Sequence, residues 1–91
     1  MTNEIRVIDH QISAFDHVEV SESATPTYDR KDGHLRVAYP ANSDDEREYV
    51  FSIYRYGDAD TFSVADGAKV LEYGEGVAYV LTPADAYGGE N

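Results

Sequence analysis

The sequence predicts an all-β fold, a small antiparallel β-barrel or sandwich of about six to eight short strands, with at most a short helical turn near residues 83–87. Two observations predict this class. β-Branched and aromatic residues cluster in short runs that Gly, Asp, Asn and Pro separate, which is typical of strands joined by turns. Two of these separators, Asp32-Gly33 and residues 74–76 (Gly-Glu-Gly), are of the kind that closes a β-hairpin.

The first twenty residues have two interpretations. Ile5, Ile8 and Ile12 fall at helical intervals, whereas residues 5–8 and 17–21 each have the composition of a strand. We favour two strands here, because the rest of the chain needs partners to complete a sheet.

Two β-hairpins are predicted further along the chain. The first spans residues 26–39, with a strand on each side of Asp32-Gly33. The second joins residues 69–73 to residues 77–81 and ends at Pro83, which has no N–H to donate to a sheet. Pro83 also suits the first position of a helical turn, which is the one helical element that we allow in this region.

Residues 43–57 have a helical interpretation. Residues 43–46 (Ser-Asp-Asp-Glu) have the form of a helix capping box, with acids in the first turn. Val50 and Ile53 have helical spacing, and Gly57 is placed to end the helix.

A strand is the alternative for this region, and we favour it. Residues 48–56 are dense in strand-forming side chains and contain neither Ala nor Leu. Residues 42–46 would then form an acidic hairpin loop that returns the chain to the strand at residues 34–39.

Residues 32–40 and 75–83 resemble each other. In each segment an acid precedes Gly, and Val and Pro follow at matching positions. Two hairpins that end in proline match this well by chance, so duplication and coincidence both stay open. A true repeat predicts two similar half-sheets related by pseudo-symmetry.

The length of 91 residues predicts a single small β domain over residues 1–91, with frayed termini at residues 1–3 and 88–91. The amino terminus has neither the basic region nor the apolar stretch of a leader, and no apolar run approaches the roughly eighteen residues of a membrane helix. We therefore expect a soluble, cytoplasmic protein that has no membrane partner.

The strongest compositional signal is a formal net charge of −11, from eighteen acidic and seven basic residues, of which only Lys31 and Lys69 are lysines. At about 1 M salt the Debye length of roughly 3 Å screens most repulsion among carboxylates. This acidic, lysine-poor composition resembles that of cytosolic proteins of salt-in halophiles. The resemblance implies a halophilic, archaeal, cytoplasmic protein and identifies no family.

The motifs of common metal and catalytic sites are absent or incomplete. The chain has no Cys, which removes thiolate nucleophiles and cysteine-based zinc sites. A calcium loop counted from Asp58 has Ser63 where Gly is required and Lys69 where Glu is required. No Ser lies in a Gly-x-Ser-x-Gly elbow. We therefore predict no catalytic residue, no metal site and no cofactor, and a protein that is not an enzyme.

Tyrosine and arginine stand out against the acidic background, and both residue types are enriched at protein interfaces. Most of them lie in the middle of the chain, on or beside predicted strands. This pattern predicts an interaction face composed of Tyr28, Arg30, Arg36, Tyr39, Tyr49, Tyr54 and Tyr56.

These observations favour a non-enzymatic protein-interaction module. Its expected partner is another protein, with homodimerisation through an edge strand as a further expectation. Nucleic acid is disfavoured, since affinity for phosphates comes chiefly from Lys and Arg. Two alternatives stay open. One is an acidic mimic of nucleic acid that occupies a basic protein groove. The other is a small ligand-binding or enzymatic barrel that uses an acid and one of His10, His17 and His34 in its mouth.

Overall fold

The computed structural model describes residues 2–86, which contain seven strands and no helix. The strands are β1 (Ile5–Gln11), β2 (His17–Ser21), β3 (Thr27–Asp29), β4 (His34–Pro40), β5 (Glu46–Arg55), β6 (Lys69–Gly74) and β7 (Val77–Pro83). The all-β prediction is confirmed, and so is the strand interpretation of both the first twenty residues and residues 48–56. Residues 84–86 form a turn closed by a hydrogen bond from the Ala86 N–H to the Pro83 carbonyl, 3.0 Å. Residue 87 of the predicted helical turn and the predicted frayed end at 88–91 lie outside the described residues.

The strands form two antiparallel sheets that pack as an open sandwich. Sheet A has the order β1-β4-β3, and sheet B has the order β2-β5-β7-β6. The two sheets do not close into a barrel. Of the two architectures predicted, barrel and sandwich, the protein therefore has the sandwich.

The core lies between the sheets and is built by alternation along the strands. In β4, Leu35, Val37 and Tyr39 point inward and are buried, while the residues between them face outward. Sheet B contributes Phe51 of β5 and Leu81 of β7, which lie directly opposite each other in the ladder. Full burial of each such apolar side chain contributes about 1.5–3 kcal/mol. With few aliphatic residues available, tyrosine rings supply much of the remaining core area.

Both predicted hairpins are confirmed, and glycine permits their turns. Gly33 has a positive φ of 70° at the end of the β3–β4 loop, where its N–H bonds the Asp29 carbonyl at 2.8 Å. Glu75 and Gly76 have φ values of 55° and 80° between the paired residues Gly74 and Val77. Two successive residues with positive φ give a type I′ turn, whose twist matches that of the flanking strands.

The predicted hairpin between residues 34–39 and the following strand is wrong, because β4 and β5 belong to different sheets. Both sides of β4 are occupied by β1 and β3, and both sides of β5 are occupied by β2 and β7. The acidic segment at residues 41–45 therefore carries the chain from one sheet to the other. The two similar segments, 32–40 and 75–83, each contain the second strand of a hairpin that lies inside its own sheet.

The long connection at residues 56–68 crosses the outer face of sheet B. β5 ends opposite Val77 and β6 begins opposite Leu81, so this segment must run from one end of β7 to the other. Its Phe62 ring lies 5.8 Å from the ring of Tyr54, whose cross-strand partner is Ala78. Directly paired residues share a face of the sheet. The segment therefore covers a second buried layer, which consists of Val50, Ser52, Ala78, Val80 and Thr82.

Tyr39 generates a prediction about alkaline pH. Burial of its hydroxyl raises the pKa, and the hydrogen bond that the hydroxyl donates to Glu46 at 2.7 Å raises it further. Together they bring the pKa of Tyr39 to about 12. Because this pKa lies above the ordinary value of 10.0, the stabilising contribution is complete below pH 10 and is lost as pH rises to about 12. We expect Tyr39→Phe to lower the free energy of unfolding by about 1 kcal/mol at pH 8. We also expect this variant to lose less stability between pH 9 and 11.5 than the wild type does.

Urea unfolding followed by circular dichroism measures both effects. Tyr73→Phe is the matched control, because Tyr73 is 72% exposed. If Tyr39→Phe and the wild type lost equal stability as pH rises, ionisation of Tyr39 would not be the cause of the loss.

Candidate interaction surface

The seven residues predicted to form one interaction face do not share a face. Tyr39 and Tyr49 belong to the core between the sheets, where they are 4% and 1% exposed. The other five divide among three places, namely the β3–β6 side of the sandwich, the outer face of sheet A and the outer face of sheet B. Each location gives the residues a different role.

Tyr28 and Arg30 tie the two sheets together. The Tyr28 ring packs on Phe51 and Tyr79 of sheet B, with centroid distances of 5.0 and 4.7 Å. Arg30 lies over the Tyr79 ring and donates hydrogen bonds to the Glu72 carboxylate and the Gly74 carbonyl, both at 3.2 Å. These contacts close the side of the sandwich where β3 meets β6.

Arg36 is surrounded by carboxylates on the outer face of sheet A. Its guanidinium lies 3.3 Å from both Asp9 and Asp32 and 3.8 Å from Asp29. His34 Nδ1 lies 2.9 Å from the same Asp9 oxygen. The hydrogen bond from His34 and the charge of Arg36 hold the pKa of the Asp9 carboxyl below its usual range. Arg36 therefore neutralises a group of acids of its own chain.

Tyr54 and Tyr56 pack against the connection that covers sheet B. The Phe62 ring stacks on Tyr56, with centroids 5.2 Å apart, and also contacts Tyr54. The two tyrosines thereby hold residues 56–68 in place, and much of their ring surface faces another part of the same chain.

The free edges of the two sheets differ in how far they are protected against further pairing. β3 has three residues, and β6 contains a bulge between Val70 and Glu72 and lies against β3. β2 has five residues, of which His17 and Glu19 are ionisable. β1 also carries three ionisable residues, but it is the longest of these edges, with seven consecutive residues in regular register with β4. Short length, bulges and charges block edge pairing, so β1 is the least protected edge among residues 2–86.

Backbone hydrogen bonds show which groups of β1 face its free side. The Ile12 N–H bonds the Gly33 carbonyl at 3.0 Å, and the Glu4 carbonyl accepts the Ala41 N–H at 2.9 Å. The backbone N–H and C=O groups of the even-numbered residues therefore point toward β4. Since backbone groups alternate along an antiparallel strand, the N–H and C=O groups of residues 5, 7, 9 and 11 point away from the molecule.

Side chains of β1 are exposed on both faces of sheet A. Ile5 and Val7 on the outer face are 53% and 67% exposed. Arg6 and His10, which share the opposite face with Ile8, are exposed as well. Ile8 packs against the core, so sheet B covers the inner face of β1 only in part. A shallow depression of about 340 Å³, lined by residues that include Val7, Thr25, Arg36 and Ala38, adjoins the strand.

The exposed Ile5 and Val7 were not part of the sequence-based prediction. Their alternation with Arg6 marks one apolar face of a strand, but a core face would produce the same pattern. Ile5 and Val7 differ from core residues only because β1 lies at the edge of its sheet. That position depends on long-range pairing with β4, which the local sequence pattern does not reveal.

Two histidines lie beside carboxylates. His17 Nδ1 is 2.7 Å from Glu48 Oε2, and Glu19 is paired directly across from Glu48. These side chains line a depression of about 350 Å³. The His17 and Glu48 side chains are each 57% exposed, so the pair sits in solvent and not in a closed pocket. The other pair is the His34–Asp9 contact described above.

No group of three or more His, Asp or Glu side chains is arranged to hold a metal ion within residues 2–86. No helix of sufficient length and apolarity to span a membrane occurs in that part of the chain. The chain matches no protein-family model, no curated protein and no solved structure.

The Arg36 cluster generates a prediction about salt. We expect Arg36→Ala to lower the Tm by roughly 3–6 °C in 0.1 M KCl, because three carboxylates lose their shared counter-charge. The loss should shrink above about 1 M KCl, where the Debye length is roughly 3 Å. Differential scanning calorimetry measures both values.

Arg55→Ala is the control, because it removes the same charge from an exposed residue that forms no ion pair within residues 2–86. This variant should change the Tm less. Equal effects of the two substitutions would show that the cluster contributes nothing specific.

Proposed function

We propose that the protein is a non-enzymatic protein-interaction module of a high-salt cytoplasm, and that it binds an extended segment of its partner by strand addition to β1. The observation that carries the proposal is the seven-residue edge of β1, whose odd-numbered backbone groups point outward. In strand addition, main-chain hydrogen bonds supply affinity and alternate side chains supply specificity.

The side chains around this edge suit such a mode of binding. Ile5 and Val7 offer apolar surface beside the unpaired backbone. The depression next to Val7 is large enough to receive a side chain of an added strand. Residues 5–11 carry one positive and one negative charge, so this edge has no net charge on a chain whose total is −11.

The distribution of the carboxylates favours this proposal over the acidic mimic. Many acids are grouped around arginines in separate parts of the molecule. Glu72 and Glu75 lie around Arg30, and Glu22 and Asp85 lie around Arg47. A mimic needs carboxylates spaced like phosphates along one face, and neutralised groups on different faces do not provide that spacing.

The exposure of the histidine–acid pairs favours an interaction module over a small enzyme. General acid–base catalysis by a carboxylate depends on an environment that shifts its pKa toward neutrality. Asp9, which contacts His34, has its pKa shifted in the opposite direction.

Selection of random peptides displayed on phage tests the proposal. We expect the wild-type protein in 2 M KCl to enrich peptides with alternating aliphatic residues, as an added strand requires. Val7→Pro should weaken binding of the enriched peptides at least about tenfold, because it removes an N–H from the free edge and leaves the ladder with β4 intact.

Val70→Lys is the matched control, since Val70 is an exposed aliphatic residue on the edge strand β6. This variant should bind the enriched peptides as the wild type does. The proposal is contradicted if no peptide is enriched, or if Val7→Pro binds the enriched peptides with unchanged affinity.

A further inference from the structure

We infer that the partner at the β1 edge is a second copy of this chain, paired antiparallel about a two-fold axis through Val7. This inference rests on the proposed function, because it names the occupant of the same edge. The result is a continuous six-stranded sheet in which the two β1 strands lie side by side at the centre.

Backbone geometry limits the registers that are available. A two-fold axis perpendicular to the sheet keeps the same face of both copies on the same side, so odd residues pair with odd residues. The outward groups belong to residues 5, 7, 9 and 11, and the Gln11 carbonyl already accepts a hydrogen bond from the His10 side chain at 2.9 Å. This leaves residues 5, 7 and 9 to form the hydrogen-bonded pairs of an antiparallel ladder. Two or more of them find partners when the axis passes through residue 6, 7 or 8.

Side-chain chemistry selects among these three registers. An axis through Arg6 places two arginines directly opposite each other, which is unfavourable. An axis through Ile8 places each Val7 opposite Asp9 of the other copy. An axis through Val7 places each Ile5 opposite Asp9, but it also sets the two Val7 side chains opposite each other with each Ile5 diagonal to them. This register joins the four exposed aliphatic side chains into one patch and so removes apolar surface from water.

Charges near the axis are compatible with a second copy. The edge carries no net charge, and no like charges lie directly opposite each other in the Val7 register. The two Arg6 side chains lie diagonally across the axis, and each is paired with Glu46 of its own chain at 3.3 Å. The remaining repulsion comes from the net charge of −11 on each copy. Salt screens that repulsion, so association strengthens as KCl rises.

Exposure of β1 on both faces leaves room for the second copy. Arg6 and His10 are exposed although they lie on the inner face of sheet A. On that face Ile8 packs against the core and Arg6 pairs with Glu46 of sheet B, so sheet B reaches β1 but leaves Arg6 and His10 exposed at the free edge.

Sedimentation equilibrium of the full chain tests the inference. We expect the wild type to be a dimer at about 100 μM in 2 M KCl and to dissociate as KCl falls to 0.1 M. Val7→Pro and Val7→Lys should each raise the dissociation constant at least about tenfold, because a lost N–H or an edge lysine blocks pairing. Val70→Lys should dimerise like the wild type. If circular dichroism shows that Val7→Pro is unfolded, Val7→Lys decides.

A cysteine substitution tests the register, since the chain has no natural Cys. Hydrogen-bonded pairs have Cα atoms about 5.5 Å apart, within the range that a disulfide spans. Val7→Cys should form a disulfide-linked dimer under mild oxidation, whereas Ile5→Cys, placed opposite Asp9, should not. Equal cross-linking of the two variants would overturn the register.

The outcomes separate this inference from the function on which it rests. A wild type that stays monomeric in 2 M KCl, or a Val7→Lys variant that dimerises like the wild type, overturns the second copy as partner. If the wild type stays monomeric but binds peptides that Val7→Pro no longer binds, strand addition to β1 is still supported. Failure of both experiments removes the proposed function as well.

Discussion

Three aromatic rings determine how the two sheets lie on each other. Tyr28 of sheet A packs on Phe51 and Tyr79 of sheet B, and Arg30 extends over Tyr79 to reach the neighbouring edge strand β6. These contacts join β3 to sheet B and hold it beside the edge strand β6. At the other edge of sheet A, Ile8 of β1 packs against the core, while Arg6 and His10 on the same face are exposed. The sandwich is thus closed on the β3 side and only partly covered on the β1 side.

The large negative charge acts on this architecture mainly through its distribution. Arginines that the sequence suggested as binding residues are occupied by acids of the same chain, as Arg36 is by Asp9 and Asp32. Acidic groups around them keep most of the surface strongly hydrated and mutually repulsive. β1, like β6, carries one residue of each charge, and it combines that neutrality with a regular run of outward backbone groups that the bulge interrupts in β6. Association at β1 therefore adds no local repulsion to that between the whole chains.

Local chemistry made the strands and turns predictable, whereas long-range pairing did not follow from it. Gly33 and Gly76 marked the two hairpins, because both positions require a positive φ. The pairing of β4 with β5 was wrong, since adjacency in sequence does not determine which sheet a strand joins. Tyr39 and Tyr54 look alike in the sequence, yet one lies in the core and the other beneath a connection. The exposed edge at Ile5 and Val7 was missed because edge positions emerge only from the complete strand order.

Amide hydrogen exchange along β1, measured residue by residue by NMR, tests the central claim that this strand has one paired and one free side. In dilute protein, the amides of Arg6, Ile8 and His10 should be protected, and those of Val7 and Asp9 should exchange much faster. At high protein concentration in 2 M KCl, the Val7 and Asp9 amides should gain protection as the edge becomes paired. Equal protection of odd and even amides in dilute protein, or no gain at high concentration, would contradict the claim.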